Sequence, residues 1–225
     1  MITKLIFHIS IFCFFIGNAQ NTIDGPFNQL IIRGVTLING NGAPPRGPID
    51  LVVEKDEIVK IVNVGYPGID IQKNRRPVLQ KGGKEINADG MFLLPGFIDM
   101  HGHIGGVAQG ADWEYVFKLW LAHGVTTVRE PSGRGIDYAL DLKRRAKNNE
   151  IIAPRIIAYS RFGEGSKKGI NSVEEAIKWV QLNKKNGADG IKFFGADPKI
   201  MAAALKENNR LGLGSACHHA QLSVA

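Results

Sequence analysis

Cysteine is scarce in this sequence: 225 residues include two, Cys13 and Cys217. Cys13 falls in an apolar N-terminal stretch that export would remove, which leaves one thiol and no intramolecular disulfide. A disulfide-stapled scaffold is therefore excluded. Aromatic residues are few, at 8%. None interleaves the two basic runs, Lys73-Asn74-Arg75-Arg76-Pro77 and Lys143-Arg144-Arg145. No zinc-finger or RNA-recognition signature accompanies them, so the net charge of +7 reads as a solvated basic surface and not as a nucleic-acid footprint. Long apolar runs are also missing. Residues 5–16 come nearest, and they are too few for a stable membrane span. No Gly-x-Gly-x-x-Gly follows the first strand of the α/β part, so a dinucleotide-binding fingerprint is lacking.

What remains is an ordinary globular composition, 44% hydrophobic and 22% charged, able to bury a sizeable core. The N-terminus predicts a secretory signal peptide over residues 1–19. Lys4 supplies the positive region, residues 5–16 the apolar region, and Gly17-Asn18-Ala19 the small residues before a cut after Ala19. The expectation is an exported soluble chain, periplasmic or secreted. His8 and Cys13 then leave every site argument.

Residues 20–94 read as a small all-β unit. Val- and Ile-rich stretches at 30–38, 49–54 and 57–64 are separated by Asn-, Gly- and Pro-rich turns, and residues 66–84 read as a loop. From residue 95 the rhythm changes. Strands are predicted at 97–100, 125–128, 155–160, 190–195 and 213–217. Helices between them start at Asp112, about Ile136, Ser172 with Glu175 as a capping box, and Asp197-Pro198. Five strands alternating with four helices argue for a parallel sheet, either open and doubly wound or curled into a barrel. Cys217 reads as a small core residue and His123 as a helix C-terminal residue favoured by the dipole.

The residues that carry chemistry sit at strand ends. "LLPGFIDMHGHIGG" places His101 and His103 directly after the first strand of this part. On an extended segment both imidazoles point to one side, and two neutral imidazoles make half of a metal site. Lys192 lies in the fourth strand between Ile191 and Phe193, where an unpaired ammonium would be costly. His218 and His219 follow the fifth strand, and alternation lets one of them face inward, with His218 favoured. Glu130 and Arg161, just after the second and third strands, are candidate substrate contacts. Polar groups gathered at several strand ends suit the C-terminal rim of a (β/α)8 barrel.

Taken together, "RGVTLINGNGAPPRGPIDLVVEKDEIVKIV", "LLPGFIDMHGHIGG", "HGVTTVREPSG", "GADGIKFFG" and "LGLGSACHHAQ" resemble the metal-dependent amidohydrolase superfamily, in its imidazolonepropionase- and prolidase-like branch. The resemblance implies a (β/α)8 (TIM) barrel preceded by part of a small β-sandwich, with residues 20–94 in the sandwich and 95–225 carrying the first five barrel strands. It implies one or two divalent metal ions, zinc first among them. His101 and His103 would bind one ion, Lys192 as its carbamate would bridge two, and His218 would bind the second. The sixth-strand histidine and eighth-strand aspartate of the family have no counterpart, so the chain reads as the front part of a longer protein. The implied activity is hydrolysis of carbon–nitrogen bonds in small amides, cyclic amides or peptides by a metal-activated water. Homo-oligomerisation is left open. The alternative is an inactive remnant, or a fragment that binds only metal or a partner.

Overall fold

The computed structural model describes residues 25–106 and 110–218. The predicted signal peptide and His219 lie outside the described residues. Among the described residues no helix is long and apolar enough to cross a membrane.

Three strands open the chain: β1 (Gln29–Leu37), β2 (Arg46–Glu54) and β3 (Glu57–Asn63). They pair antiparallel in sequence. Two short strands that the sequence pattern does not single out, β4 (Lys84–Asn87) and β5 (Phe92–Leu93), run parallel to β1. Val35, Leu37, Ile49 and Ala88 form the apolar centre of this sheet. Asp50 is fully buried beside them. A buried carboxylate needs donors, and it finds the Arg33 guanidinium at 3.0 Å and the Gly34 amide at 2.9 Å.

The second sheet contains β6 (Phe97–Asp99), β7 (Val125–Glu130), β8 (Arg155–Arg161), β9 (Gly190–Phe193) and β10 (Gly214–Cys217). All are parallel, and their spatial order repeats their chain order. A doubly wound sheet reverses its winding at a switch point. This one does not, so it is an arc of a (β/α) barrel. Helices α1 (Trp113–Ala122), α2 (Ile136–Lys147), α3 (Val173–Lys185) and α4 (Pro198–Arg210) connect successive strands.

Local chemistry explains the helix ends. The Asp112 carboxylate accepts from Trp113 N at 2.8 Å, and Asp197 accepts from Lys199 N at 3.0 Å ahead of Pro198. Ser172 Oγ accepts from Glu175 N at 3.1 Å, while the Glu175 carboxylate reaches back to Asn171 N, one residue before the cap. Gly135 offers α2 no side-chain cap, and the Ile136 amide donates instead to Glu164 at 2.9 Å. Gly124, at φ 78°, ends α1 in the left-handed region.

Two apolar cores lie between strands and helices. One joins Val128, Ile156 and Ala158 to Phe117, Ala139 and Leu142. The other joins Ile191 and Phe193 to Trp179, Val180, Met201 and Ala204. Each fully buried large side chain here contributes about 1.5–3 kcal/mol relative to exposure. Cys217 departs from the expected core position: it is exposed. Its strand is the last in the sheet order, and no described element covers its side chain.

Helices α3 and α4 are also joined by Glu207, which accepts from Gln181 Nε2 at 2.7 Å and from Arg210. The hydrogen bond from Arg210, and then that from Gln181, holds its carboxyl down to about 2, against an ordinary 4.5. A depressed folded-state pKa contributes stability that is complete above the unfolded value and lost as pH falls through the folded one. Unfolding midpoints measured between pH 6 and pH 2 are therefore expected to fall less steeply below pH 4.5 in Glu207→Gln than in the wild type. Parallel curves would refute the coupling.

Candidate metal centre

Side chains alternate along each strand, so one face of the second sheet packs on the helices and the other faces the barrel interior. Val128, Ile156 and Phe193 take the helix side. Arg129 lies on the opposite face, its guanidinium 5.2 Å from the centre of the Tyr159 ring. Lys192 follows on β9, 3% exposed, with its Nζ 5.4 Å from the Phe194 ring. Burial, and also the charge of Arg129, push the Lys192 pKa down, against an opposing contribution from Cys217. Among the described residues no carboxylate pairs with this amine.

After β6 the chain bends at Met100 and His101, where the His101 amide donates to Asp99 Oδ1 at 2.9 Å. It then lies against β7, with Gly102 N donating to Arg129 O at 3.1 Å. The middle residue of the His-Gly-His motif has no room for a side chain. A Cβ at Gly102 would lie 2.5 Å from Val128 Cγ2 and 2.6 Å from Trp120 Cζ2. The two imidazoles meet edge to face, ring centres 5.5 Å apart. The His101 pKa is lowered, first by desolvation and then by the charges of Lys192, His103, Arg129 and His218. Those interactions place His103, Lys192 and His218 each within electrostatic reach of His101. His218 follows β10 and packs on Phe194, ring centres 4.7 Å apart.

The two candidate substrate contacts part ways. Arg161 is exposed and lines an open cavity of 880 Å³ at the ends of β8 and β9, together with Phe162, Ile170, Ser172, Asp197 and Lys199. Glu130 does not reach that rim. It is the last residue of β7, its side chain is 1% exposed, and its carboxylate accepts from Ile104 N and Gly133 N and lies 3.2 Å from His103 Nδ1. A carboxylate so enclosed has no face left for substrate. Its position on the same side of β7 as Val128 turns it under the chain and not into the opening. His123 is a helix-end residue as expected, its Nδ1 2.8 Å from Leu119 O.

Sequence reasoning also passes over two residues. Arg129, the penultimate residue of β7, lies within electrostatic reach of His101. Glu164 ties the loop after β7 to the loop after β8, accepting from Ser132 Oγ at 3.2 Å, Ile136 N at 2.9 Å and Arg161 N at 3.2 Å. Alternation in β7 could have flagged Arg129, whereas nothing around "FGEGS" marks Glu164.

The residues present suit a divalent cation. His101 is biased toward the neutral form that offers a lone pair, and among the described residues His103 keeps Nε2 uncommitted and the buried Lys192 amine has no carboxylate partner. Among the described residues, no group of three or more His, Cys, Asp or Glu side chains converges on one point. The donor set is two imidazoles with a lysine and a third imidazole nearby.

No protein-family model matches the chain. It is 35% identical over 112 residues to an N-acyl-D-aspartate deacylase of Alcaligenes xylosoxydans xylosoxydans, covering 48% of this chain and 19% of the relative. It is 30% identical over 105 residues to an N-acetylglucosamine-6-phosphate deacetylase of Lysinibacillus sphaericus, covering 46% and 22%. The chain thus spans about a fifth of the length of these curated relatives. Among solved structures, a prolidase complexed with N-methylphosphonate-L-proline superposes with a TM-score of 0.63 at 16% identity, covering 84% of this chain and 56% of that one. That likeness fixes the fold: the sheet arc is part of a TIM barrel.

Gly102→Ala is expected to force the histidine segment off β7, at a cost of about 1–3 kcal/mol from overpacking. Urea unfolding followed by circular dichroism measures it. A midpoint equal to the wild type would mean that the segment is not packed as described.

Proposed function

The chain belongs to the amidohydrolase superfamily, and from that premise we propose that it carries the metal-binding part of a hydrolase that cleaves carbon–nitrogen bonds in small amides, cyclic amides or dipeptides. The observation that carries this reading is the pairing of His101 with His103 at the end of β6, on the same barrel face as the buried Lys192. The names of the relatives support it, one being a deacylase of N-acyl-D-aspartate and one a deacetylase of N-acetylglucosamine 6-phosphate.

His101 and His103 would hold one divalent ion, zinc by the chemistry of imidazole donors. Lys192 and His218 would hold the second. Addition of carbon dioxide to the neutral Lys192 amine, with release of one proton, would give a carbamate whose oxygens could serve as donors to a divalent ion. When bound, the metal supplies Lewis acidity, lowering the pKa of a water and polarising the amide carbonyl. Arg129 lies beside these groups and supplies fixed positive charge to any anion formed there. Arg161, at the mouth of the 880 Å³ cavity, would meet the acidic end of an N-acyl amino acid or dipeptide. The leader-like residues 1–19 support a site of action outside the cytoplasm.

The test is metal content and affinity. The wild-type chain, refolded or expressed with zinc and then dialysed, is expected to retain zinc as measured by plasma emission. His101→Ala and His103→Ala are expected to lose it, together with any release of amine from N-acyl amino acids or Xaa-Pro dipeptides. Zinc retained in full by the double variant would overturn the assignment.

A further inference from the structure

Glu130 is a buried carboxylate whose three hydrogen bonds all come from inside the protein. Oε2 accepts from Ile104 N at 2.8 Å. Oε1 accepts from Gly133 N and lies 3.2 Å from His103 Nδ1. Around it stand Val128 and Ile104, both 1% exposed or less. An ionised carboxylate can only accept hydrogen bonds. Its imidazole partner must therefore carry its hydrogen on Nδ1, and a neutral ring with hydrogen there has its lone pair on Nε2.

We propose that Glu130 is the positioning residue of this centre: it locks His103 in the Nδ1–H tautomer and turns Nε2 outward as a ligand. The inference rests on the reading of His103 as a metal ligand. Two further features fit the role. The same carboxylate holds the amide of the residue after His103 and the amide of Gly133 in the loop after β7. It therefore fixes the backbone on which the ring is mounted as well as the ring. His101 differs, because its anchor is its backbone amide on Asp99 and its ring makes no hydrogen bond among the described residues. One histidine of the pair is thus clamped through its side chain, and the other only through its main chain. The carboxylate–imidazole–metal relay is a general device for raising ligand basicity and restricting ring rotation.

The tautomer can be read directly. A long-range proton–nitrogen NMR spectrum of the 225-residue chain at pH 8, without metal, reports the protonation of each ring nitrogen. The wild type is expected to show His103 protonated at Nδ1 and bare at Nε2. Glu130→Ala is expected to give His103 a substantial Nε2–H population and to weaken zinc binding about 10–100-fold by calorimetry. Glu164→Ala, which loosens the neighbouring loops without touching a histidine, is expected to leave the His103 tautomer unchanged. A wild-type His103 protonated at Nε2, or one unaltered in Glu130→Ala, would overturn the proposal. Should Glu130→Ala fail to fold, the wild-type spectrum decides alone. Failure of the wild type to bind zinc would instead remove the metal reading, while the tautomer still reports on the clamp.

Discussion

The alternation of side chains across the parallel strands is the constraint on which this molecule depends. Every second residue of β7, β8 and β9 must satisfy a dry helix layer, and the residues between are released to face the barrel interior. Val128, Ile156, Ala158, Ile191 and Phe193 fill the first role with at most 2% exposure. Arg129, Tyr159 and Lys192 take the second, so the apolar packing of one face aims the charges of the other. The same alternation explains why Glu130 belongs with the helix layer although it is charged. It sits two residues beyond Val128, and it is tolerable there because the Ile104 and Gly133 amides donate to it and the His103 ring lies beside it.

The five-strand arc is wound in chain order, and the chemistry gathers where the strands end. His101 and His103 come from the end of β6, Lys192 from within β9, and His218 from just past β10. Residues separated by more than a hundred positions in sequence are brought to one side of one sheet. The likeness to a prolidase structure at 16% identity shows how little of this arrangement depends on the identity of most side chains. The shared fold depends on register and on the helices that bury the outer face.

Much of this is legible in the sequence because the signals are local. Asp112, Ser172 and Asp197 announce their helices through capping chemistry that involves residues at most three positions away. Strand alternation and Gly124 mark the next boundaries. The His-x-His motif marks the candidate site. The parts that stay hidden depend on contacts distant in sequence. β4 and β5 are short, exposed stretches that become strands only by pairing with β1. Cys217 looks like core in an apolar strand, but its burial depends on what lies beyond β10. Glu130 sits one or two residues from a rim position, and only the fold of residues 102–104 against β7 shows that its carboxylate turns inward. Glu164 joins two loops whose meeting no local pattern encodes.

Glu164 also has a consequence for how such a protein can change. Barrel enzymes diversify by altering their rim loops one at a time, since each loop hangs from its own strand and helix. Here one carboxylate holds Ser132 and Ile136 in one loop region and Arg161 in the next. An insertion in either must leave those donors in place or loosen both. The loops after β7 and β8 are therefore mechanically coupled as a single block.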